Sequence, residues 1–143
     1  MSAATRTIEV NASPADFLKV LTDFEAYPGF LDGLGMTDVR VESRTDNEAV
    51  VEHSVKKMGK TVKYTLRYKW PTPNKMEWTF IRGQMMSENK GSWTLEEMGE
   101  GKTRAVYSAE IKFGMLVPKS VIKVMVEREL PELMGSFKKK AEA

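Results

Sequence analysis

The sequence predicts an α+β domain in which a curved antiparallel sheet of about seven strands wraps around a long C-terminal helix. Between Met36 and Phe113, apolar residues recur at every second position, the period of strands with one buried and one exposed face. From about Pro118 to Lys140 they recur at helical spacing instead. The chain has 143 residues, so one domain spanning residues 1–143 is the simplest organisation, and it is large enough to bury its own core.

Composition excludes several kinds of site. The chain has no cysteine, which rules out disulfides, iron–sulfur clusters, thiol nucleophiles and cysteine-bound zinc. A single histidine rules out histidine-rich metal sites, and we expect neither a metal nor a cofactor. The net charge of +2 is too small to indicate specific nucleic-acid binding. No apolar segment has the length of a signal peptide or a membrane span, so we expect a cytoplasmic protein.

The first elements are a strand and two short helices. Thr5–Val10 is rich in β-branched residues and predicts the strand. A helix should follow, since Ser13 is a good N-cap and Pro14 suits the first helical position. Pro28 and Gly29 predict the end of this helix, and a second short helix or turn is expected around that break.

The alternation of apolar residues also predicts strand register. A one-residue slip would turn each buried set outward, so agreement across the turns is informative. The first hairpin is expected to turn at Met58-Gly59, and a later one, turning between Met98 and Lys102, brings Trp93 onto the face of Tyr107. The other pairs predicted on the buried face are Val55 with Val62, His53 with Tyr64, Val51 with Leu66, Tyr68 with Trp78, Leu66 with Phe80, and Tyr64 with Arg82.

The C-terminal helix has a wide apolar stripe, as expected for a helix that lies inside a curved sheet. Pro131 should bend this helix, because proline cannot donate a helical hydrogen bond. The stripe consists of Ile122, Val126, Leu130, Leu133 and Phe137.

Three segments carry a family resemblance: Asp23-x-Glu25-x-Tyr27-Pro28-x-Phe30-Leu31, Gly91-x-Trp93, and the helix end Phe137–Glu142. On these the whole chain resembles the START-like helix-grip (SRPBCC) superfamily, in particular its polyketide cyclase/dehydrase and coenzyme Q-binding branch. That branch also contains ribosome-association toxins. The resemblance implies a seven-stranded sheet gripping the last helix, with a hydrophobic cavity for lipids, quinones or polyketides between them. It implies no shared catalytic motif, because members use one scaffold for different functions.

The predicted ligand-binding residues combine aromatic and polar side chains. Buried tyrosine hydroxyls need hydrogen-bond partners, which a cavity with water or ligand supplies, although ordinary core packing also explains the rings. A polar row could anchor a carbonyl, phenol or carboxylate, or it could lie at the mouth with its arginine in solvent. The residues are His53, Tyr64, Tyr68, Trp78, Phe80, Arg82, Trp93, Tyr107 and Met125, and the polar row is His53, Tyr64 and Arg82.

Methionine is abundant, with ten residues, and is suited to an adaptable pocket or to filling a core. The segment Gly114–Pro118, just before the last helix, is a plausible gate loop. The methionines considered for the pocket or its entrance are Met85, Met86, Met115, Met125 and Met134.

Three functions are compatible with these features. The preferred one is non-enzymatic binding or transport of a lipid, quinone or polyketide-like molecule. The second is a polyketide aromatase/cyclase, with His53 as general base and Tyr64 or Arg82 steadying an enolate. The third is peripheral contact with a membrane or ribosome through basic residues such as Lys63 and Arg67, for which a solvated face is the simpler interpretation.

Overall fold

The computed structural model describes residues 2–57 and 59–143, so Met58 at the predicted first hairpin tip lies outside the described residues. The described chain forms one seven-stranded antiparallel sheet in the order β1-β7-β6-β5-β4-β3-β2. The strands are β1 (Ser2–Val10), β2 (Met36–Arg44), β3 (Glu48–Lys57), β4 (Lys60–Thr72), β5 (Lys75–Gly83), β6 (Met86–Gly99) and β7 (Lys102–Phe113).

Helices occupy the link between β1 and β2 and the C-terminus. The first group comprises α1 (Pro14–Thr22), a 3₁₀ turn (Phe24–Ala26), α2 (Tyr27–Leu31) and a second 3₁₀ turn (Asp32–Leu34). The C-terminal rod comprises α3 (Lys119–Val124), a π-turn (Met125–Glu129) and α4 (Leu130–Glu142). This is the predicted helix-grip architecture, in which a curved sheet holds a long terminal helix.

The start of α1 is as predicted, but its end is not. The Ser13 hydroxyl accepts a hydrogen bond from the Asp16 amide at 3.2 Å, and proline occupies the first turn. The helix ends at Thr22, before Pro28 and Gly29, so the prediction that those two residues end it was wrong. The chain continues into the 3₁₀ turn at Phe24–Ala26, where the Phe24 ring is fully buried. Pro28 lies instead in the first turn of α2, a position that tolerates proline.

Most of the predicted strand register is confirmed. Within β3 and β4, His53 pairs with Tyr64, and the predicted valine and leucine pairs flank them. Across β4 and β5, Tyr68 pairs with Trp78 and Leu66 with Phe80. Trp93 of β6 pairs with Tyr107 of β7. These pairs place one continuous row of large side chains on the concave face of the sheet.

The predicted pairing of Tyr64 with Arg82 was wrong. A β-bulge in β5 inserts one extra residue, so Tyr64 faces Gly83 and Arg82 faces Thr65 on the other side of the sheet. There the Arg82 guanidinium lies 2.5 Å from a Glu42 carboxylate oxygen. Glycine is required beside Tyr64, because a Cβ on Gly83 would lie 2.5 Å from the tyrosine Cβ.

The C-terminal rod packs tightly against the rest of the domain only at its C-terminal end, in α4. The ring of Phe137 lies 5.3 Å from Tyr27, 5.3 Å from Phe30 and 5.9 Å from Trp93. Met134 is also buried, whereas α3 and the π-turn contain no buried residue. Where we predicted a bend at Pro131, the rod has this π-turn immediately upstream. The N-terminal half of the rod, α3 and the π-turn, therefore stands off the sheet.

The crowding around Gly91 gives a test of the sheet geometry. A Cβ on Gly91 would lie 2.3 Å from the Ser108 carbonyl oxygen and 2.4 Å from the Trp78 ring. We therefore expect Gly91→Ala to lower the free energy of unfolding by about 1–3 kcal/mol in urea titrations. Gly135→Ala is the matched control, because α4 leaves open space there, and it should raise stability by about 0.5–1 kcal/mol. A neutral Gly91→Ala would show that Trp78 does not pack against β6 as described.

Candidate functional site

A cavity of about 220 Å³ lies between the concave face of the sheet and the C-terminal rod. Its walls are mostly apolar and aromatic, and they come from α2, from strands β2 to β7 and from the rod. The packed end of the rod closes one side of it through Phe137 and Trp93. The site is therefore the space left where the rod stands off the sheet.

Most of the predicted ligand-binding residues line this cavity. Two do not. Phe80 is partly buried and packs against the core outside the lining, and Arg82 lies on the outer face with Glu42. Those that line it are His53, Tyr64, Tyr68, Trp78, Trp93, Tyr107 and Met125.

His53 is the polar centre of the wall. Its Nε2 lies 3.0 Å from the Tyr68 hydroxyl, and its ring stacks on Tyr64 with centroids 4.9 Å apart. The ring of Tyr27 is also near-parallel to the imidazole, with centroids 6.3 Å apart and planes inclined by 29°. The Nδ1 atom is buried and has no hydrogen-bond partner among the described residues. Burial lowers the pKa of His53 from 6.5 to about 3, so the ring is neutral at pH 7.

The tyrosines of the wall are also uncharged. Burial raises the pKa of Tyr64 to about 12, and it also raises the pKa values of Tyr68 and Tyr107 above their ordinary value. All three phenols therefore keep their protons at neutral pH and can donate hydrogen bonds. The interior of the cavity offers neutral donors and acceptors rather than ions.

Asn89 is a polar lining residue that our sequence analysis missed. Its Oδ1 accepts a hydrogen bond from Trp78 Nε1 at 3.0 Å, which fixes the indole against the wall. Its amide nitrogen lies 3.7 Å from the Met86 sulfur. The signal was present in the sequence, because the alternation that places Trp93 on the buried face of β6 also places Gly91 and Asn89 there.

The mouth of the cavity is marked by an ion pair that the sequence did not reveal. Lys57 at the end of β3 lies 2.5 Å from Glu129 in the π-turn, and both residues line the cavity while remaining partly exposed. The pair joins elements that are distant in sequence, so local patterns do not predict it. It ties the π-turn, in the N-terminal half of the rod, to the sheet.

The methionines considered for the pocket have different positions. Met85, Met86 and Met125 line the cavity and are partly exposed, whereas Met134 is buried in the core and Met115 is fully exposed. Met85 has a φ of 67°, the one positive φ at a non-glycine residue in the described ranges. Such backbone is strained and often occurs at functional sites. Its carbonyl accepts a 2.8 Å hydrogen bond from Gly114, which ties the loop before α3 to the mouth.

Two further kinds of site are not found in the part of the chain that the structure describes. No group of histidine and acidic side chains there is arranged to hold a metal ion. No described helix combines the length and apolar character needed to cross a membrane.

Comparison with known proteins agrees with the fold. A family model described as polyketide cyclase / dehydrase and lipid transport matches residues 1–142.

Three solved structures share the fold. The aromatase/cyclase Zhui from Streptomyces sp. R1128 is 15% identical with a TM-score of 0.85, covering 99% of this chain and 93% of its own. A START superfamily protein from Mycobacterium smegmatis is 17% identical with a TM-score of 0.83, covering 98% and 97%. A STAR-related lipid transfer protein from Xanthomonas axonopodis is 14% identical with a TM-score of 0.76, covering 99% and 86%. The comparison with curated proteins found no match.

The pKa of His53 leads to a pH-dependent stability. The unfolded state protonates this histidine near pH 6.5 and the folded state only near pH 3, so its full contribution is present above about pH 6.5 and is lost as the pH falls. Between about pH 7.5 and pH 5, the wild type should lose about 2 kcal/mol through this residue alone. Denaturant titrations of His53→Gln should lack that loss while retaining the part due to carboxylates. Equal pH dependence in both proteins would show that His53 is not buried in its neutral form.

Proposed function

Since the chain belongs to the polyketide cyclase/dehydrase and lipid transport family, we propose that it binds a small, uncharged and largely apolar molecule in this cavity. The observation that carries the proposal is the lining itself, which is aromatic, apolar and uncharged around the His53–Tyr68 pair. Desolvation of apolar surface, worth about 25 cal/mol per Å², would supply the affinity, less the cost of ordering the ligand.

The charges of the lining favour a neutral ligand. Among the described lining residues, the charged side chains are Lys57 and Glu129, and they pair with each other at the mouth. A carboxylate or phosphate placed deep in the cavity would therefore lose its hydration without gaining a cation. A lipid with an ionic headgroup could enter only with that group left at the mouth.

Phenol groups supply the polar contacts for such a ligand. Tyr64 and Tyr107 line the cavity, and within the described ranges neither phenol forms a hydrogen bond of the kind that joins Tyr68 to His53. Both are protonated donors at neutral pH. A carbonyl or hydroxyl on an otherwise apolar ligand would meet their hydrogen-bonding needs.

The cyclase alternative receives less support from the site. A general base works best when its pKa lies near the working pH, and that of His53 is lowered to about 3. Among the described lining residues, the one carboxylate is Glu129, which is held by Lys57 at the mouth. These features favour binding over acid–base chemistry at His53.

A matched pair of probes tests the proposal. By isothermal titration calorimetry at neutral pH, a naphthol should bind at least about tenfold more tightly than the corresponding naphthoate, because the lysine of the described lining, Lys57, is already paired with Glu129 at the mouth. Leu133→Trp, which fills the lining from α4, should abolish naphthol binding. Val126→Trp is the control, because Val126 is partly buried in the same rod but outside the lining, and it should bind naphthol normally.

Two results would contradict the proposal. Equal affinity for naphthol and naphthoate would refute the requirement for a neutral ligand. Naphthol binding that survives in Leu133→Trp would place the ligand outside this cavity. Circular dichroism melts of both variants establish that each is folded before the titrations are compared.

A further inference from the structure

The loop between β7 and α3, residues 114–118, carries two large apolar side chains in full contact with solvent. Met115 and Leu116 have relative exposures of 102% and 97%, the highest of the exposed large apolar residues in the described chain. The loop beneath them is held in place, since Val117 is buried and its amide donates to the Gly114 carbonyl at 3.1 Å. A fixed loop that presents two apolar residues outward is unfavourable in water unless something covers them.

Positive charge surrounds this apolar tip. Lys112, Lys119 and Lys123 are exposed, and none belongs to an ion pair within the described ranges. The chain has no acidic residue between Glu110 and Glu127, so these three lysines give the stretch a charge of +3. Val124, on the exposed face of α3, extends the apolar surface with 46% exposure.

We propose that Met115 and Leu116 insert into an anionic lipid bilayer, with the three lysines resting on its headgroups. Apolar side chains flanked by lysines are the pattern of interfacial membrane anchors, where apolar burial and electrostatic attraction add. A stable protein partner would need about 800 Å² of this surface, far more than two side chains provide. A bilayer needs no matching contour, so a small protruding tip suffices.

This loop lies beside the mouth of the cavity, so a membrane contact here would bear on ligand exchange. Phe113 at the end of β7 and Met125 at the start of the π-turn both line the cavity, and the Gly114–Met85 hydrogen bond ties the loop to the mouth. A bilayer that receives Met115 and Leu116 would therefore lie against the opening. An apolar molecule could then pass between membrane and cavity with little exposure to water.

Other basic residues are less suited to this role. Arg67 on the outer face of the sheet lies 3.7 Å from Glu48, and Lys138 lies 2.5 Å from Glu142. Lys63 and Lys69 are exposed on that same outer face, away from the mouth. They offer a control pair, since reversing Lys63 and Lys69 changes the net charge by the same amount as reversing Lys119 and Lys123.

Vesicle co-sedimentation of the full chain, without any added apolar probe, tests the proposal. The protein should sediment with phosphatidylcholine vesicles that contain phosphatidylserine and not with phosphatidylcholine alone, and high salt should weaken this binding. The double variant Met115→Ser/Leu116→Ser should bind at least about tenfold more weakly. Met98→Ser removes another exposed apolar side chain, at the distant β6–β7 hairpin, and should bind as the wild type does.

Charge reversal separates the two basic surfaces. Lys119→Glu/Lys123→Glu should weaken vesicle binding by about fivefold or more per lysine, whereas Lys63→Glu/Lys69→Glu should change it little. The proposal is overturned if the wild type ignores phosphatidylserine, or if the loop variant binds as well as the wild type. It is also overturned if the wild type is a dimer that Met115→Ser/Leu116→Ser dissociates without any vesicle binding. Because no naphthol is used, failure here leaves the cavity proposal standing.

Discussion

Packing of Phe137 against Tyr27, Phe30 and Trp93 is the interaction on which the rest of the molecule depends. It holds α4 to the sheet through a cluster of aromatic edges, while α3 and the π-turn bury no residue. A curved sheet and a rod that touch at one end must diverge toward the other. The cavity is thus a consequence of uneven packing, and its walls are apolar because they are the unpacked continuation of the same core.

The polar groups in the interior of this space share one property: none carries a charge at neutral pH. The imidazole of His53 is hydrogen-bonded to Tyr68 and is uncharged at neutral pH, and the phenols of Tyr64 and Tyr107 remain protonated. Ions are confined to the mouth, where Lys57 and Glu129 neutralise each other. The interior therefore discriminates among ligands by shape and hydrogen bonding, and its electrostatics oppose charged groups.

Patterns that are local in sequence were the ones that could be predicted. Alternation fixed the pairing of His53 with Tyr64 and of Tyr68 with Trp78, because any slip would expose buried rings. The β5 bulge broke this logic at Arg82, since an inserted residue reverses every later side chain without changing composition. The Lys57–Glu129 pair escaped prediction because its partners meet only through the tertiary fold.

The number of residues in the π-turn at Met125–Glu129 determines which side of α3 faces the sheet. Such a turn holds one residue more than regular α-helix would, and each residue of an α-helix advances by about 100° around the axis. Deleting a single amino acid within the turn would rotate α3 by that amount while leaving Phe137 in place. The side chains that the N-terminal half of the rod contributes to the cavity, including that of Met125, would then be replaced by other side chains of the rod without any substitution in the sheet. Length variation at this turn is thus a route by which one scaffold can acquire a differently shaped pocket.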